Sequence, residues 1–349
     1  AAHQTRDAYW RHGSVCEDWA AIQVPVLSIG GWADNYMNTV GHLMANLQVP
    51  VQGLMGPWVH QYPHQAVPGP AIGFLQEAVR WWDHWLKGVD NGVGQGPRFR
   101  AYMLDSEPPN ASIPDRKGVW VAEAAWPSPR VTDRTWPLSP GGLLGGAGGA
   151  LDRPVATPQD LGFDAGEFVP MGLAAEMPGD QAGDDARSVC FDSAPLTAPL
   201  ALLGQARLRL RLTSDRTRAF VVARLCDVDP QGRSVRITHG MLNLCHRDSM
   251  AAPSDVPVGT AFDATVVLDL AGYRLAAGHR LRIALSTTYW PFLWPSPETA
   301  TLTLLQGDLT LPVPAGVAGH QWTPPPPEAA PGWAHRVLAA PLVARRIDH

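Results

Sequence analysis

Residues 24–60 read VPVLSIGGWADNYMNTVGHLMANLQVPVQGLMGPWVH and contain two short apolar runs, each broken by glycine. The first run, Val24–Ile29, is dense in β-branched residues, and the second is Val51–Met55; both have the length and composition of buried strands. Between them, residues 38–47 space their apolar side chains along one face of a helix. Because the connection is this short, the pattern predicts a strand–helix–strand unit with two parallel strands.

A carboxylate and an imidazole follow the two predicted strands. Asp34 lies in the loop after the first run, and His60 lies in the loop after the second. Parallel strands end at one edge of a sheet, which is where α/β proteins hold catalytic groups, so we expect the two side chains to be close together. An aspartate beside a histidine fixes the imidazole tautomer and stabilises its cation. A lone loop aspartate usually caps a turn and a lone histidine is usually solvated or packed, but the pairing favours catalysis.

Five segments resemble the cocaine-esterase and X-Pro dipeptidyl-peptidase-like family of serine hydrolases, the CocE/NonD-type acyl esterases. They are GWADNY at 31–36, GPWVH at 56–60, GFLQEAVRWWDHWLKGVDNG at 73–92, RLCDVDPQGRS at 224–234 and GHRLRIALST at 278–287. The resemblance implies an α/β-hydrolase domain with a helical cap, followed by a C-terminal jelly-roll domain. It makes Asp34 the acid and His60 the base of a Ser-His-Asp triad.

The nucleophile that the resemblance implies is missing from this sequence. Hydrolases of this kind carry it in a G-x-S-x-G motif upstream of the acid and the base. Only 33 residues precede Asp34, and the motif occurs nowhere in the 349 residues. Ser28 lies inside the first predicted strand rather than on a sharp turn. We therefore expect this chain to be the C-terminal part of a larger hydrolase, with the nucleophile half and the cap absent, and to be inactive alone.

The sequence pattern changes from helical to alternating near residue 96. Residues 73–87 form a strongly predicted helix with a tryptophan-rich face, expected to pack in the core. Beyond it, candidate strands recur without helices between them, and ARLRLRLT at 206–213 alternates strictly. The predicted fold class is α/β plus all-β. Residues 1–95 are assigned to the C-terminal part of an α/β-hydrolase domain, and residues 96–349 to a β-sandwich that the resemblance makes a jelly roll.

An aromatic loop in the second predicted domain reads TTYWPFLWPSP at 287–297. Its rings either form a wall of a substrate pocket or fill the interface between the domains, and the interface is favoured. Two tryptophans beside the predicted acid and base are assigned to the same pocket or interface. The residues concerned are Trp32, Trp58, Trp290, Phe292 and Trp294.

Charge and residue patterns restrict the partners. The net charge of −5 and the pI near 6.2 give no reason to expect nucleic acid or an anionic membrane, and no run of about 18 apolar residues predicts a span. No motif predicts a cofactor. His60 and His64 are four residues apart, but Pro63 opposes the helix that a metal-binding pair would need. The cysteine spacing favours buried free thiols in a reducing cytoplasm, with a disulfide between Cys226 and Cys245 as the alternative.

Three interpretations of function stay open. In the first, the intact parent is a serine hydrolase that cleaves a small-molecule ester, an amide or a short peptide. In the second, the chain is a non-catalytic jelly-roll module for binding or assembly. In the third, it is one half of a two-chain hydrolase. A missing N-terminal half, or self-association, would then cover the edge of the incomplete sheet.

Overall fold

The computed structural model describes residues 2–316 and 320–328, in which we number four α-helices and 17 β-strands. The helices are α1 (Ala8–His12), α2 (Met37–Asn46), α3 (Phe74–Lys87) and α4 (Ala182–Asp185). The strands are β1 (Val26–Gly31), β2 (Val51–Gly56), β3 (Phe99–Asp105), β4 (Gly118–Glu123), β5 (Val131–Ser139), β6 (Leu143–Leu144), β7 (Arg153–Val155), β8 (Val189–Asp192), β9 (Leu200–Gly204), β10 (Arg207–Ser214), β11 (Phe220–Val228), β12 (Ser234–Asn243), β13 (Phe262–Val267), β14 (Ala271–Leu275), β15 (Arg280–Ser286), β16 (Leu302–Pro314) and β17 (His320–Gln321).

The predicted strand–helix–strand unit is confirmed. Strands β1 and β2 run parallel, in a register that extends from Val26 opposite Val51 to Gly31 opposite Gly56. Helix α2 connects them and buries Val40 and Met44 against the sheet. Because both strands end at the same level, the loops that follow them leave the sheet side by side.

These strands belong to a seven-stranded sheet that draws on distant parts of the chain. Its order is β1-β2-β3-β14-β9, with β4 paired to β3 and β17 paired to β4. Strand β3 lies parallel to β2, with Phe99 opposite Gly53, and β14 lies parallel to β3. The predicted boundary between residues 95 and 96 thus falls just before a strand of this same sheet, and the division into domains stays a prediction.

The remaining ten strands form a second, nearly closed sheet. Its order is β12-β11-β15-β8-β6-β5-β16-β10-β13, with β7 beside β16. The first and last strands in this order meet closely, since a Cβ atom added at Gly240 of β12 would lie 2.5 Å from the carbonyl oxygen of Val267 of β13. The predicted alternation in β10 is confirmed, with leucines facing the core and arginines facing outward. The jelly-roll assignment stays a prediction.

Helix α3 has the predicted extent, and Gly88 ends it in the left-handed conformation that favours glycine. Its orientation differs in part from the prediction. Trp81 is buried, whereas Trp82 is 52% exposed. The helix instead buries Glu77, whose carboxylate accepts a hydrogen bond from Arg100 at 2.6 Å. An apolar stripe is left exposed on its outer face, formed by Leu75, Val79, Trp82 and Leu86.

All four cysteines are free thiols. Cys226 lies buried in β11 opposite Arg236 of β12, while Cys245 follows β12 in a short 3₁₀ turn. The two are therefore not cross-strand partners, and the alternative of a disulfide between them is wrong. The prediction of buried thiols holds for Cys226 but not for Cys16, which is exposed.

Candidate active site

The loops after β1 and β2 continue to pair after the strands end. The backbone N–H of Trp32 donates to the carbonyl of Gly56 at 2.8 Å, and that of Ala33 donates to Trp58 at 3.1 Å. Gly31 permits this close approach, because a Cβ atom there would lie 2.0 Å from the carbonyl oxygen of Trp58. The two loops are thus held together at backbone level.

This pairing brings Asp34 and His60 into contact. Nδ1 of His60 lies 2.9 Å from Oδ2 of Asp34, and the other carboxylate oxygen accepts a hydrogen bond from the N–H of Tyr36 at 2.9 Å. The Asp34 side chain is 13% exposed, whereas that of His60 is 47% exposed. The backbone N–H of His60 donates to the carbonyl of Pro170 at 3.1 Å. The carboxylate is therefore fixed in place while the imidazole stays accessible.

Nε2 of His60 has no hydrogen-bond partner in the ranges that the structure describes. With a carboxylate at Nδ1, the neutral imidazole keeps its proton on Nδ1 and presents the lone pair of Nε2 outward. An imidazole oriented in this way can accept a proton from a hydroxyl group and later return it to a leaving group. The ring of Tyr36, 5.6 Å from that of His60, borders it on one side.

A cavity of about 300 Å³ opens beside Asp34. The loop after β1 forms one wall of it, the segment after β2 contributes Pro57 and Pro68, and the other lining residues come from later parts of the chain. His60 is not among the lining residues. Its aromatic lining residues are Trp32, Phe168, Tyr273 and Phe292. A largely apolar cavity with a few polar groups is typical of a site for a small ligand.

The five aromatic residues assigned from sequence to a pocket or interface occupy different places. Trp32 lines the cavity and donates from its indole N–H to the carbonyl of Tyr102 at 2.6 Å, and Phe292 lines it as well. Trp58 is 1% exposed and lies in the core rather than in the cavity wall. Trp290 and Trp294 pack against each other at 5.5 Å, 41% and 79% exposed, and do not line the cavity.

Several polar residues of the cavity wall were not identified from sequence, among them Arg236, His239 and Asp269. Arg236 and His239 are on β12, and Asp269 lies between β13 and β14. Nε2 of His239 lies 3.7 Å from Oδ2 of Asp269. Burial, reinforced by the nearby Arg236, lowers the pKa of His239 well below its usual value, while burial raises that of Asp269. In the sequence, Arg236 and His239 belong to an ordinary strand pattern and Asp269 follows one, so only their placement in the fold brings them near Asp34.

A second serine–histidine–aspartate group lies between the two sheets. Asp227 accepts hydrogen bonds from the hydroxyls of Ser106 and Tyr273, and His279 lies 2.7 Å from its other carboxylate oxygen. Here the serine hydroxyl donates to the carboxylate instead of to the imidazole, and the aspartate side chain is 2% exposed. This group cross-links the sheets and lacks the order of contacts that activates a nucleophile.

Nowhere in residues 2–316 and 320–328 do three or more His, Cys, Asp or Glu side chains come together as metal ligands would. Within the same ranges, none of the helices has the length and apolar character of a membrane span.

Comparison with known proteins links this chain to hydrolases. A Mycobacterium bovis protein, to which serine esterase activity is attributed, is 28% identical over 319 residues, covering 80% of this chain. The cocaine esterase of a Rhodococcus species is 21% identical over 314 residues, covering 83% of this chain. These matches span 46% and 53% of the two relatives. The chain thus corresponds to about half the length of the curated proteins it matches.

Solved structures agree in fold. An aminopeptidase from a marine sediment archaeon superposes with a TM-score of 0.70 at 18% identity, over 90% of this chain and 59% of that one. An α-amino acid ester hydrolase superposes with a TM-score of 0.70 at 19% identity, over 89% of this chain and 59% of the other. A CocE/NonD family hydrolase from Staphylococcus aureus gives 0.65 at 14% identity, over 89% of this chain and 58% of its own.

The chain is thus related to hydrolases of the serine esterase and peptidase type. A family model described as the X-Pro dipeptidyl-peptidase C-terminal non-catalytic domain matches residues 91–329, and one described as X-Pro dipeptidyl-peptidase (S15 family) matches residues 1–62. Since the first match alone covers more than half of the sequence, the chain belongs to the X-Pro dipeptidyl-peptidase and cocaine-esterase-like family, and the resemblance stated from sequence is confirmed.

Proposed function

We propose that this chain supplies the acid and the base of a Ser-His-Asp triad in a hydrolase of ester or amide bonds. Asp34 is the acid, His60 is the base, and the serine comes from sequence outside these 349 residues. The observation that carries the proposal is the 2.9 Å contact between Nδ1 of His60 and Oδ2 of Asp34. Both residues lie within residues 1–62, the segment matched by the peptidase model.

In this mechanism Nε2 of His60 takes the proton of the serine hydroxyl as the serine oxygen attacks the carbonyl carbon of the substrate. Asp34 holds the proton on Nδ1 and stabilises the imidazolium that forms. His60 then gives its proton to the leaving alcohol or amine, and the bond to the leaving group breaks. A water molecule then attacks the acyl-enzyme while His60 takes its proton. The bond between the acyl group and the serine breaks, His60 returns the proton to the serine oxygen, and the acid is released.

The proposed fold places residues 1–95 in the C-terminal part of an α/β-hydrolase domain. Strand β1 is at the edge of the seven-stranded sheet among the described residues, so its outer edge has backbone groups available for another strand. The exposed stripe on α3 also supports contact with a further protein segment, because four apolar side chains on one helix face usually pack against protein. A segment that carries the nucleophile would cover both surfaces.

The test is covalent labelling with a fluorophosphonate, read by intact mass. We expect no adduct on the 349-residue chain, and one adduct per chain when it is produced together with the polypeptide encoded upstream of Ala1. The matched variant His60→Gln should slow labelling of the longer protein by several orders of magnitude. An adduct on the short chain would overturn the proposal, as would rapid labelling of the variant.

A second candidate is a two-chain hydrolase or a self-associating module, favoured by the exposed stripe on α3. Sedimentation velocity of the purified chain, which reports its oligomeric state, tests for self-association. A dimer that dissociates in Leu86→Glu but not in Lys87→Glu would support self-association, since Leu86 is 74% exposed on the stripe and Lys87 is a charged neighbour. A well-behaved monomer would exclude self-association. It would also count against the proposal that the outer edge of β1 and the stripe on α3 are surfaces that another segment covers.

A further inference from the structure

The wall of the cavity that β12 provides carries a rigidly held guanidinium. Nη1 of Arg236 donates to the hydroxyl of Tyr289 at 2.7 Å, and that hydroxyl donates in turn to Oε1 of Gln181 at 2.9 Å. The guanidinium carbon lies 4.9 Å from the ring centre of Phe292 and 5.6 Å from that of Tyr289. Contacts of this cation–π kind stabilise the guanidinium without neutralising its charge.

Arg236 has no carboxylate within 4.0 Å anywhere in the described part of the chain. The other arginine in the cavity wall, Arg116, pairs with Glu107 at 3.1 Å. The fully buried Arg224 likewise pairs with Asp185 at 2.9 Å. A guanidinium has several N–H donors, and the bond to Tyr289 uses one of them. Arg236 therefore brings both a positive charge and hydrogen-bond donors to the cavity wall.

The carboxylates of the cavity are occupied elsewhere or lie at its rim. Asp34 is bound by His60, and Asp269 accepts a hydrogen bond from the amide of Asn38 at 2.7 Å. One oxygen of Glu176 accepts three backbone N–H groups, those of residues 171, 172 and 173. Glu167 is exposed. None of these groups forms a salt bridge with Arg236. Asp269 lies near enough to interact with its charge, but burial dominates there and raises the pKa of Asp269, so an anionic ligand would meet a guanidinium without a direct carboxylate partner.

We propose that this cavity binds a carboxylate carried by the acyl part of the substrate, with Arg236 as the residue that recognises it. Phe292 and Trp32, which line the same cavity, would enclose the apolar or aromatic spacer between that carboxylate and the reacting carbonyl. The preferred substrate class is thus an ester or amide of an acid that bears a second, free carboxylate. The assignment to the acyl part rests on the proposed function, while the carboxylate site itself does not.

The test is a binding experiment on the 349-residue chain, measured by calorimetry with 4-phenylbutyrate and the uncharged 4-phenylbutyramide. We expect the carboxylate to bind about tenfold more tightly than the amide, the range of a hydrogen-bonded charge. Arg236→Met should bring the ratio close to one. The control Arg209→Met removes an equal charge from the exposed face of β10, outside the cavity, and should leave the ratio unchanged.

Equal affinities in the wild type, no binding of either compound, or a preference retained in Arg236→Met would each overturn the proposal. If the methionine variant fails to fold, as judged by circular dichroism, Arg236→Lys serves instead. Lysine keeps the charge but loses the planar donor pair, so the preference should fall several-fold without vanishing. The binding measurement requires neither the serine nor a proton transfer. A negative binding result would therefore not contradict the proposed triad, and evidence against the triad would not contradict a carboxylate site at Arg236.

Discussion

Oδ2 of Asp34 and Nδ1 of His60 are 2.9 Å apart across two loops that leave one edge of a parallel sheet. The carboxylate is largely buried and the imidazole is about half exposed. This difference gives each residue the surroundings its proposed role requires, because the acid has to stay in place while the base has to reach a substrate.

Replacing Asp34 by asparagine keeps the size of the side chain but removes its charge. An amide N–H facing Nδ1 would favour the opposite imidazole tautomer, with the proton on Nε2. In the complete hydrolase we expect kcat to fall by about 10⁴-fold, and the free energy of unfolding to change little. Turnover of a 4-nitrophenyl ester measures the first effect, and ¹⁵N shifts of His60 measure the tautomer in this chain. Asp263→Asn, at a side chain 78% exposed on β13, is the matched control. Unchanged turnover in the Asp34 variant would contradict the assigned role.

Gly31→Ala should disrupt the site without touching either candidate catalytic residue. A methyl group at position 31 meets the carbonyl oxygen of Trp58 at 2.0 Å, a backbone atom that cannot rotate away. We expect the loops to separate and the free energy of unfolding to fall by about 2 kcal/mol or more. Urea unfolding measures the loss, and the His60 resonances should shift. Gly13→Ala is the control, since nothing lies within 4 Å of the added atom. Equal stability of the two variants would show that the loops can adjust.

The buried ion pair between β11 and α4 permits a test of the structure away from the site. Arg224 is fully buried and contacts Asp185 at 2.9 Å, while Asp185 is also held by Arg282 at 3.1 Å. Arg224→Met leaves the buried carboxylate of Asp185 with Arg282 as its remaining ion-pair partner. We therefore expect the free energy of unfolding to fall by about 3 kcal/mol. Arg211→Met, in an exposed pair with Asp263, should cost under about 1 kcal/mol. Chemical denaturation compares the two variants, and similar losses would mean that Arg224 is not buried as described.

Local patterns predicted those features whose causes are local. The apolar runs around residues 24–60 and their glycine breaks indicated β1, α2 and β2, and the alternation of leucine and arginine indicated β10. The proximity of Asp34 and His60 followed from the parallel register alone. Each of these inferences depends on neighbouring residues or on one short crossover, which is the range over which sequence periodicity carries information.

Features set by contacts between distant segments could not be predicted in this way. Strands β14 and β9 join the first sheet, but residue periodicity does not predict which of two sheets a strand belongs to. The exposure of Trp82 on α3 is likewise set by tertiary contacts, since the helix directs Glu77 to a buried contact with Arg100 of β3, 23 positions later, and leaves Trp82 on its outer face. Arg236 and Phe292 are 56 positions apart in the sequence, yet the guanidinium carbon of one lies 4.9 Å from the ring centre of the other.

The pH dependence of stability should report on His239, a buried imidazole in the cavity wall. Its pKa lies well below 6.5 in the folded chain, chiefly through burial and then through Arg236 and Arg224. Below about pH 6.5 the unfolded chain therefore binds more protons at this position than the folded chain does. Stability should fall as the pH drops from 6.5 toward the folded pKa, by up to about 1.4 kcal/mol per pH unit. From about one pH unit above 6.5, both states are essentially neutral there, and no loss is expected from this group.

Asp269 contributes to the pH dependence of stability with the opposite sign. Burial raises its pKa, so the folded state keeps a proton that the unfolded state has released, and this contribution to stability falls as the pH rises. The variant His239→Gln separates the two contributions, since it removes the titrating imidazole and leaves the carboxylate. Urea unfolding between pH 4.5 and 7.5 should show a shallower loss toward acid in this variant than in the wild type. His42→Gln, at an exposed position on α2, should leave the wild-type slope unchanged. Parallel curves for His239→Gln and the wild type would mean that the His239 imidazole is protonated as readily in the folded chain as in the unfolded one. Its contact with Asp269 would then be an ion pair, and the cavity wall would hold a third cation beside Arg116 and Arg236.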